Sequence, residues 1–152
     1  MSLRDRFTAM MKEAMKAGDK PRLSAVRLIN AAVKDRDIEA RGAGRKEATE
    51  EEIVTLLQKM IKQRQESAAL YEKGARPELA AQERAEIAVI SSFLPQQLGE
   101  SEVAEVIEEA IAATGATSIK DMGKVMAWMR ERHAGKIDFS KAGPVLKSAL
   151  SA

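Results

Sequence analysis

At 152 residues, 45% hydrophobic and 32% charged, the chain has the usual size of a single domain and enough apolar content to build a core. A net charge of only +2 and the absence of cysteine exclude a bulk polycation, a disulfide scaffold, thiolate metal sites and a cysteine nucleophile. The longest stretch free of charges, Ile87 to Gly99, holds Pro95, Gln96 and Gln97, and no apolar run follows Met1-Ser2-Leu3-Arg4-Asp5-Arg6. Neither a membrane span nor a signal peptide is therefore expected, and a cytoplasmic protein is the simplest reading.

Aromatic residues make up 3% of the chain while Ala, Leu, Met, Glu, Lys and Arg dominate, which favours helix throughout and no sheet. Ser2 can cap a first helix carrying Leu3, Phe7, Met10, Met11 and Ala14, and Gly18 ends it. Asp19 and Pro21 open a second, whose apolar residues Leu23, Val26, Ile29, Ala32 and Val33 run toward Arg41 before Gly42-Ala43-Gly44 breaks it. Thr49-Glu50-Glu51-Glu52 has capping-box spacing and starts a third helix, with Ile53, Leu56, Leu57, Met60 and Ile61 on its stripe and Gly74 as its stop. Arg76-Pro77 starts a fourth, carrying Leu79, Ile87, Ile90 and Leu94, and Pro95 ends it.

The stretch from Pro95 to Glu100 reads as a linker, because helical patterns stop and restart across it. Beyond it, Ser101 precedes a fifth helix with Val103, Val106, Ile107, Ala110 and Ile111, stopped by Gly115. Ser118-Ile119-Lys120-Asp121 is a second box-like start, leading into Met122, Val125, Met126 and Met129 and ending near Gly135. A last helix carries Val145, Leu146 and Leu150; Pro144 suits a start near Gly143 better than one at Asp138. The expected fold is all-α: an N-terminal domain of about four helices over residues 1–94, a linker over 95–100, and a small bundle of about three helices over 101–152.

Charge is unevenly placed. Residues 1–46 hold 12 Lys or Arg against 6 Asp or Glu; residues 96–116 hold five Glu and no basic residue; residues 117–152 hold seven basic residues and three acidic. Lys120, Lys124, Trp128 and Arg132 form an i, i+4 row beside the apolar row of the sixth helix. Cations interleaved with the only tryptophan are what a backbone-plus-stacking RNA contact needs. A solvated basic face with Trp128 partly buried at its edge satisfies the same pattern.

No catalytic constellation is present. His133 is the only histidine, so a His pair is excluded and no metal site is expected. Gly42-Ala43-Gly44-Arg45-Lys46 lacks Walker spacing and reads as a mobile basic loop. Glu50-Glu51-Glu52 is explained by helix capping and Glu108-Glu109 by an exposed face. Arg64 falls on the apolar stripe of the third helix and needs a carboxylate, which Glu83 or Glu86 on the fourth helix can supply; the pair would fix helix register or mark a binding site.

Several segments, in order along the chain, resemble the GatB/YqeY family. They are Arg27-Leu28-Ile29 with Ala31-Ala32-Val33-Lys34; Lys62-Gln63-Arg64-Gln65-Glu66-Ser67; Arg76-Pro77-Glu78-Leu79; Glu86-Ile87; Phe93-Leu94-Pro95-Gln96-Gln97-Leu98; and above all Lys120-Asp121-Met122-Gly123-Lys124-Val125-Met126. The chain departs from the common pattern at Phe93, where Tyr is frequent, and over residues 128–133. The last third is similar to the tail domain of the GatB subunit of tRNA-dependent amidotransferase.

The resemblance implies an all-helical two-part fold and a link to aminoacyl-tRNA, with Lys120 and Lys124 on the tRNA face. Gly123 would permit close backbone approach or helix packing, and Asp121 fits a capping position. The expected function is a non-catalytic, tRNA-associated accessory module without a cofactor, its phosphate and stacking contacts coming from Lys120, Lys124, Trp128, Arg130, Arg132, Lys136, Lys141 and Lys147. One alternative is an adaptor whose eight methionines and amphipathic helices dock an amidotransferase or aminoacyl-tRNA synthetase. A weaker one is a component of carbon–nitrogen ligase activity with glutamine as amido donor, which would require other subunits because no ATP site or glutaminolysis nucleophile is visible.

Overall fold

The computed structural model describes residues 1–151, among which are seven α-helices, one 3-10 turn and no strand. Ala152, the last residue of the expected C-terminal domain, lies outside the described residues. The chain divides into two compact units between Leu94 and Pro95.

The first unit holds α1 (Leu3–Ala17), α2 (Lys20–Gly42), α3 (Glu50–Lys73) and α4 (Pro77–Ser91). Local chemistry sets most of their ends. Ser2 and Asp5 form a reciprocal capping box at α1, as Thr49 and Glu52 do at α3, satisfying amides that a helix start leaves unpaired. Gly18 closes α1 at a φ of 67°. The apolar stripes meet in one core containing Phe7, Val26, Ile29, Ile53, Leu57 and Ile90, each almost fully buried. Phe7 meets Phe93 edge-to-face at 4.8 Å.

Helix α4 stops at Ser91, three residues short of Leu94, where the spacing had extended it. Phe93 and Leu94 instead make i→i−3 bonds to Ile90 and Ser91, because Pro95 disfavours helical backbone at the residue before it. Arg6 holds this tightened turn, donating to the Phe93 carbonyl at 3.1 Å and the Ser92 carbonyl at 3.0 Å, with its guanidinium 5.4 Å from the Phe93 ring centroid. Between α3 and α4 the left-handed residue is Ala75, at φ 57°, rather than the neighbouring Gly74.

Two buried or half-buried ion pairs lock the packing. Arg64 donates from Nε to Glu86 Oε2 at 2.8 Å and from Nη1 to the Met60 carbonyl at 3.2 Å; of the two expected partners, Glu86 is the one engaged, and Glu83 forms no ion pair among the described residues. The second was not foreseen. Asp37 is buried on α2 and accepts from Arg4 Nη1 and Nη2 at 2.9 and 2.7 Å and from the Ala48 amide at 2.9 Å, while Arg4 also donates to the Ala48 carbonyl at 3.1 Å. In the loop before α3, Arg45 pairs with Glu52 through its two terminal guanidinium nitrogens, an exposed contact.

The second unit holds α5 (Glu100–Thr114), a 3-10 turn (Ile119–Asp121), α6 (Met122–His133) and α7 (Phe139–Ser151) around Ile107, Val125, Met129, Ile137 and Leu146. Gly99, not Ser101, caps α5, so Glu100 belongs to the helix rather than to a linker. Leu98 packs on this core and its amide donates to the Lys136 carbonyl at 2.8 Å, which makes the end of the expected linker part of the unit. Helix α7 begins at Phe139 with Pro144 inside it. Asp138 explains the early start: its Oδ1 accepts from the Ser140 amide at 3.0 Å and its carbonyl accepts from Ala142 at 3.0 Å. The proline, lacking an N–H, leaves the Ser140 carbonyl without its i→i−4 bond and crowds it with its ring, a cost confined to the second turn. Among the described residues no helix is long and apolar enough to cross a membrane.

The Arg4 guanidinium holds the Asp37 carboxyl down to about 2 from the usual 3.8, outweighing the opposing effect of burial. A depressed folded-state value means stability that is present above the unfolded value and lost as the carboxylate protonates. Asp37→Asn should cost about 2 kcal/mol at neutral pH, and the difference from the parent should shrink as pH falls from about 4 toward 2; urea unfolding followed by circular dichroism across that range checks both statements. Ala75→Gly, relieving the positive φ, should stabilise by about 1 kcal/mol in the same assay.

Candidate nucleic-acid interface

The polarised surface of the second unit is assembled by α6, the turn before it and α7. Asp121 organises the entry. Its Oδ2 accepts from the Thr117 amide at 2.9 Å and the Ser118 amide at 3.3 Å, and these two bonds, first that from Thr117, lower its pKa below the usual carboxylate value. Asp121 therefore acts as a cap, and it caps a 3-10 turn rather than α6 itself. Lys120 lies in that turn, whose three residues per repeat take it out of the i, i+4 row expected for α6.

Within α6, Lys124, Trp128 and Arg132 do share one flank, beside the buried Val125 and Met129. Arg132 lies over Trp128, with 4.2 Å between the guanidinium carbon and the ring centroid, and also donates to the Trp128 carbonyl at 3.4 Å. This contact contributes about 0.5–1 kcal/mol at an exposed site, and a base stacking on that ring face would have to displace the guanidinium. Its ion pair with Glu131, 3.5 Å long between exposed side chains, adds little.

The eight cationic and aromatic positions do not form a single face. Arg130 projects about 120° around the helix from Lys124 and lies 5.4 Å from the Phe139 ring centroid, on the opposite flank from Trp128. Lys141 and Lys147 are likewise about 120° apart on α7, although both are exposed. Lys136 follows α6, its backbone fixed by the Leu98 amide and by its own bond to the His133 carbonyl at 3.0 Å. Lys120, Lys124, Lys136, Lys141 and Lys147 form no ion pair among the described residues. Five ammonium groups without an ion pair on one small bundle, of which Lys124 also acts on the Asp121 carboxylate, are suited to phosphate contact.

Gly123 separates its two expected explanations. A Cβ built there meets nothing within 4 Å, so helix packing does not require glycine, and the position is open to close approach from outside. The remaining motif positions lie in the first unit, where Arg64 and Glu86 are engaged with each other and Lys62 is half-buried on α3. Among the described residues no group of His, Asp and Glu side chains is arranged to hold a metal ion.

A family model described as "Yqey-like protein" matches residues 4–150. The chain belongs to the YqeY-like family. Two fungal proteins named "Altered inheritance of mitochondria protein 41, mitochondrial" are similar to it. That of Pyrenophora tritici-repentis is 29% identical over 132 residues, covering 84% of this chain and 71% of the relative. That of Lachancea thermotolerans is 27% identical over 146 residues, covering 92% and 74%. The family match thus spans both units of this YqeY-like chain, including the 3-10 turn and α6.

Sequence reasoning placed Lys124, Trp128 and Arg132 together but missed the Arg132–Trp128 contact, which i, i+4 spacing itself permits, and the Arg130–Phe139 contact, which depends on how α7 starts. Gly123→Ala should stabilise the protein by up to about 1 kcal/mol, since the site is helical and unobstructed; a lowered melting temperature would mean that a neighbour needs the space.

Proposed function

We propose that this YqeY-like protein is a non-catalytic, tRNA-associated accessory module, and that its residues 101–152 act as the tail domain of GatB does. The observation that carries the reading is the set of exposed lysines without ion pairs around α6, Lys120, Lys124 and Lys136 above all, beside the solvent-open Gly123. Phosphate neutralisation by such groups supplies affinity without base recognition and makes binding fall steeply with salt. Trp128 contributes a stacking surface only by exchanging its Arg132 neighbour for a base. Any part in amide transfer is assigned to other subunits, with this chain holding or presenting the RNA. The relatives are named as mitochondrial proteins; for this chain we propose the cytoplasm, the reading requiring only a compartment that contains tRNA.

A second reading is an adaptor for an amidotransferase or synthetase subunit, favoured by the exposure of Ile119 (45%) and Val145 (51%) on the same unit. Binding of total tRNA at about 50 and 200 mM salt separates the two. The tRNA reading expects salt-sensitive binding that falls at least tenfold in the Lys120→Glu/Lys124→Glu double variant. Absence of binding by the parent protein at low salt would overturn it and favour the adaptor.

A further inference from the structure

A second charged surface lies on the first unit. Lys20, Arg27, Lys34 and Arg41 recur at intervals of seven residues along α2, and all four are exposed. Seven residues make almost two helical turns, so the four side chains run nearly straight for about 31 Å on the side away from the buried Val26, Ile29 and Val33. None of them forms an ion pair among the described residues, although α2 carries three carboxylates of its own. Asp37 is turned inward to Arg4, although Arg41 at the end of the row still acts on its charge, and Glu39 is taken by Arg36 at 3.2 Å. Arg41 also donates from Nε to the Lys46 carbonyl at 3.4 Å, while Lys20, Arg27 and Lys34 carry the unengaged part of the row.

We propose that this row is a track for the sugar–phosphate backbone of a structured RNA, a second contact surface distinct from that of α6. It rests on the reading that the protein meets RNA, but on none of the same residues. The alternative occupant, an acidic amphipathic helix, fits less well. It would need a continuous apolar seam beside the cations, whereas the positions there are Ser24, Leu28, Ala31, Asp35, Ile38 and Gly42. Asp35 in the middle of that seam repels an acidic partner, and Ser24, Ala31 and Gly42 are small enough to let a backbone come close. A second copy of α2 would set like charges against each other.

The test uses the full chain carrying Lys20→Gln, Arg27→Gln, Lys34→Gln and Arg41→Gln together, alongside Lys120→Glu/Lys124→Glu, with total tRNA as the probe and circular dichroism as the folding control. The expected result is a binding loss of tenfold or more at low salt, and a slope of log affinity against log salt reduced by about 3. Undiminished affinity and slope in the folded quadruple variant would overturn the proposal. Loss in the quadruple variant with none in the Lys120/Lys124 variant would uphold the α2 track while removing the α6 surface. Should the quadruple variant fail to fold, Arg27→Gln/Lys34→Gln at the centre of the row should still lower the slope, and an unchanged slope there would overturn the proposal. Binding of a designed acidic helix, lost in the quadruple variant while tRNA binding persists, would assign the row to a protein partner instead.

Discussion

The buried carboxylate of Asp37 is the constraint around which the first unit is arranged. A charge on the inner face of α2 is tolerable only when paired and hydrogen-bonded. Arg4 and the Ala48 amide supply those bonds. Because Arg4 belongs to α1 and Ala48 to the segment leading into α3, one carboxylate fixes the position of three elements. Glu50 reinforces the junction by accepting from the Leu3 amide at 2.8 Å. Arg6, two residues after Arg4, holds the carbonyls after α4. Helix α1 is thus anchored at its N-terminal half by polar contacts as well as by Leu3 and Phe7 in the core.

The same logic explains what could be read from the sequence. Helix starts at Ser2, Asp19 and Thr49 were legible because capping is local: the groups concerned lie within three residues of each other. Arg64 was legible because a lone charge on an apolar stripe demands a partner. Asp37 carries the same signal, falling four residues after Val33 and three before Ala40 on the buried face of α2, yet its partner lies 33 residues away on another helix. Its partner comes from the packing of α1 on α2, which spacing along α2 does not reveal. The penalty of Pro144 leaves the start of α7 open between Asp138 and Gly143 in the sequence, and the side-chain and carbonyl bonds of Asp138 decide it.

On the candidate surface, periodicity was a good guide inside α6 and a poor one at its edges. Lys124, Trp128 and Arg132 share a flank because they lie on one uninterrupted helix, whereas Lys120 is displaced by the 3-10 turn and Arg130 by simple helical phase. The cluster is broader than a single row. A phosphate backbone, which curves and presents charge at many points, accommodates a dispersed set of ammonium groups better than would a ligand requiring fixed distances.

The division of labour between the two kinds of cation connects these surfaces to the fold. Every ion pair among the described residues uses an arginine, and none uses a lysine. The planar guanidinium fork matches carboxylates and carbonyls bidentately at limited desolvation, as Arg4 and Arg45 show, whereas the compact ammonium stays hydrated. Structure therefore consumes arginines first and leaves lysines available for mobile or external anions. Arg27 departs from that rule, lying without an ion pair in line with Lys20 and Lys34, whereas Arg41 at the end of the same row donates to the Lys46 carbonyl. Arg27, exposed on α2 and without an ion pair, carries charge that is not spent on holding the helix in place.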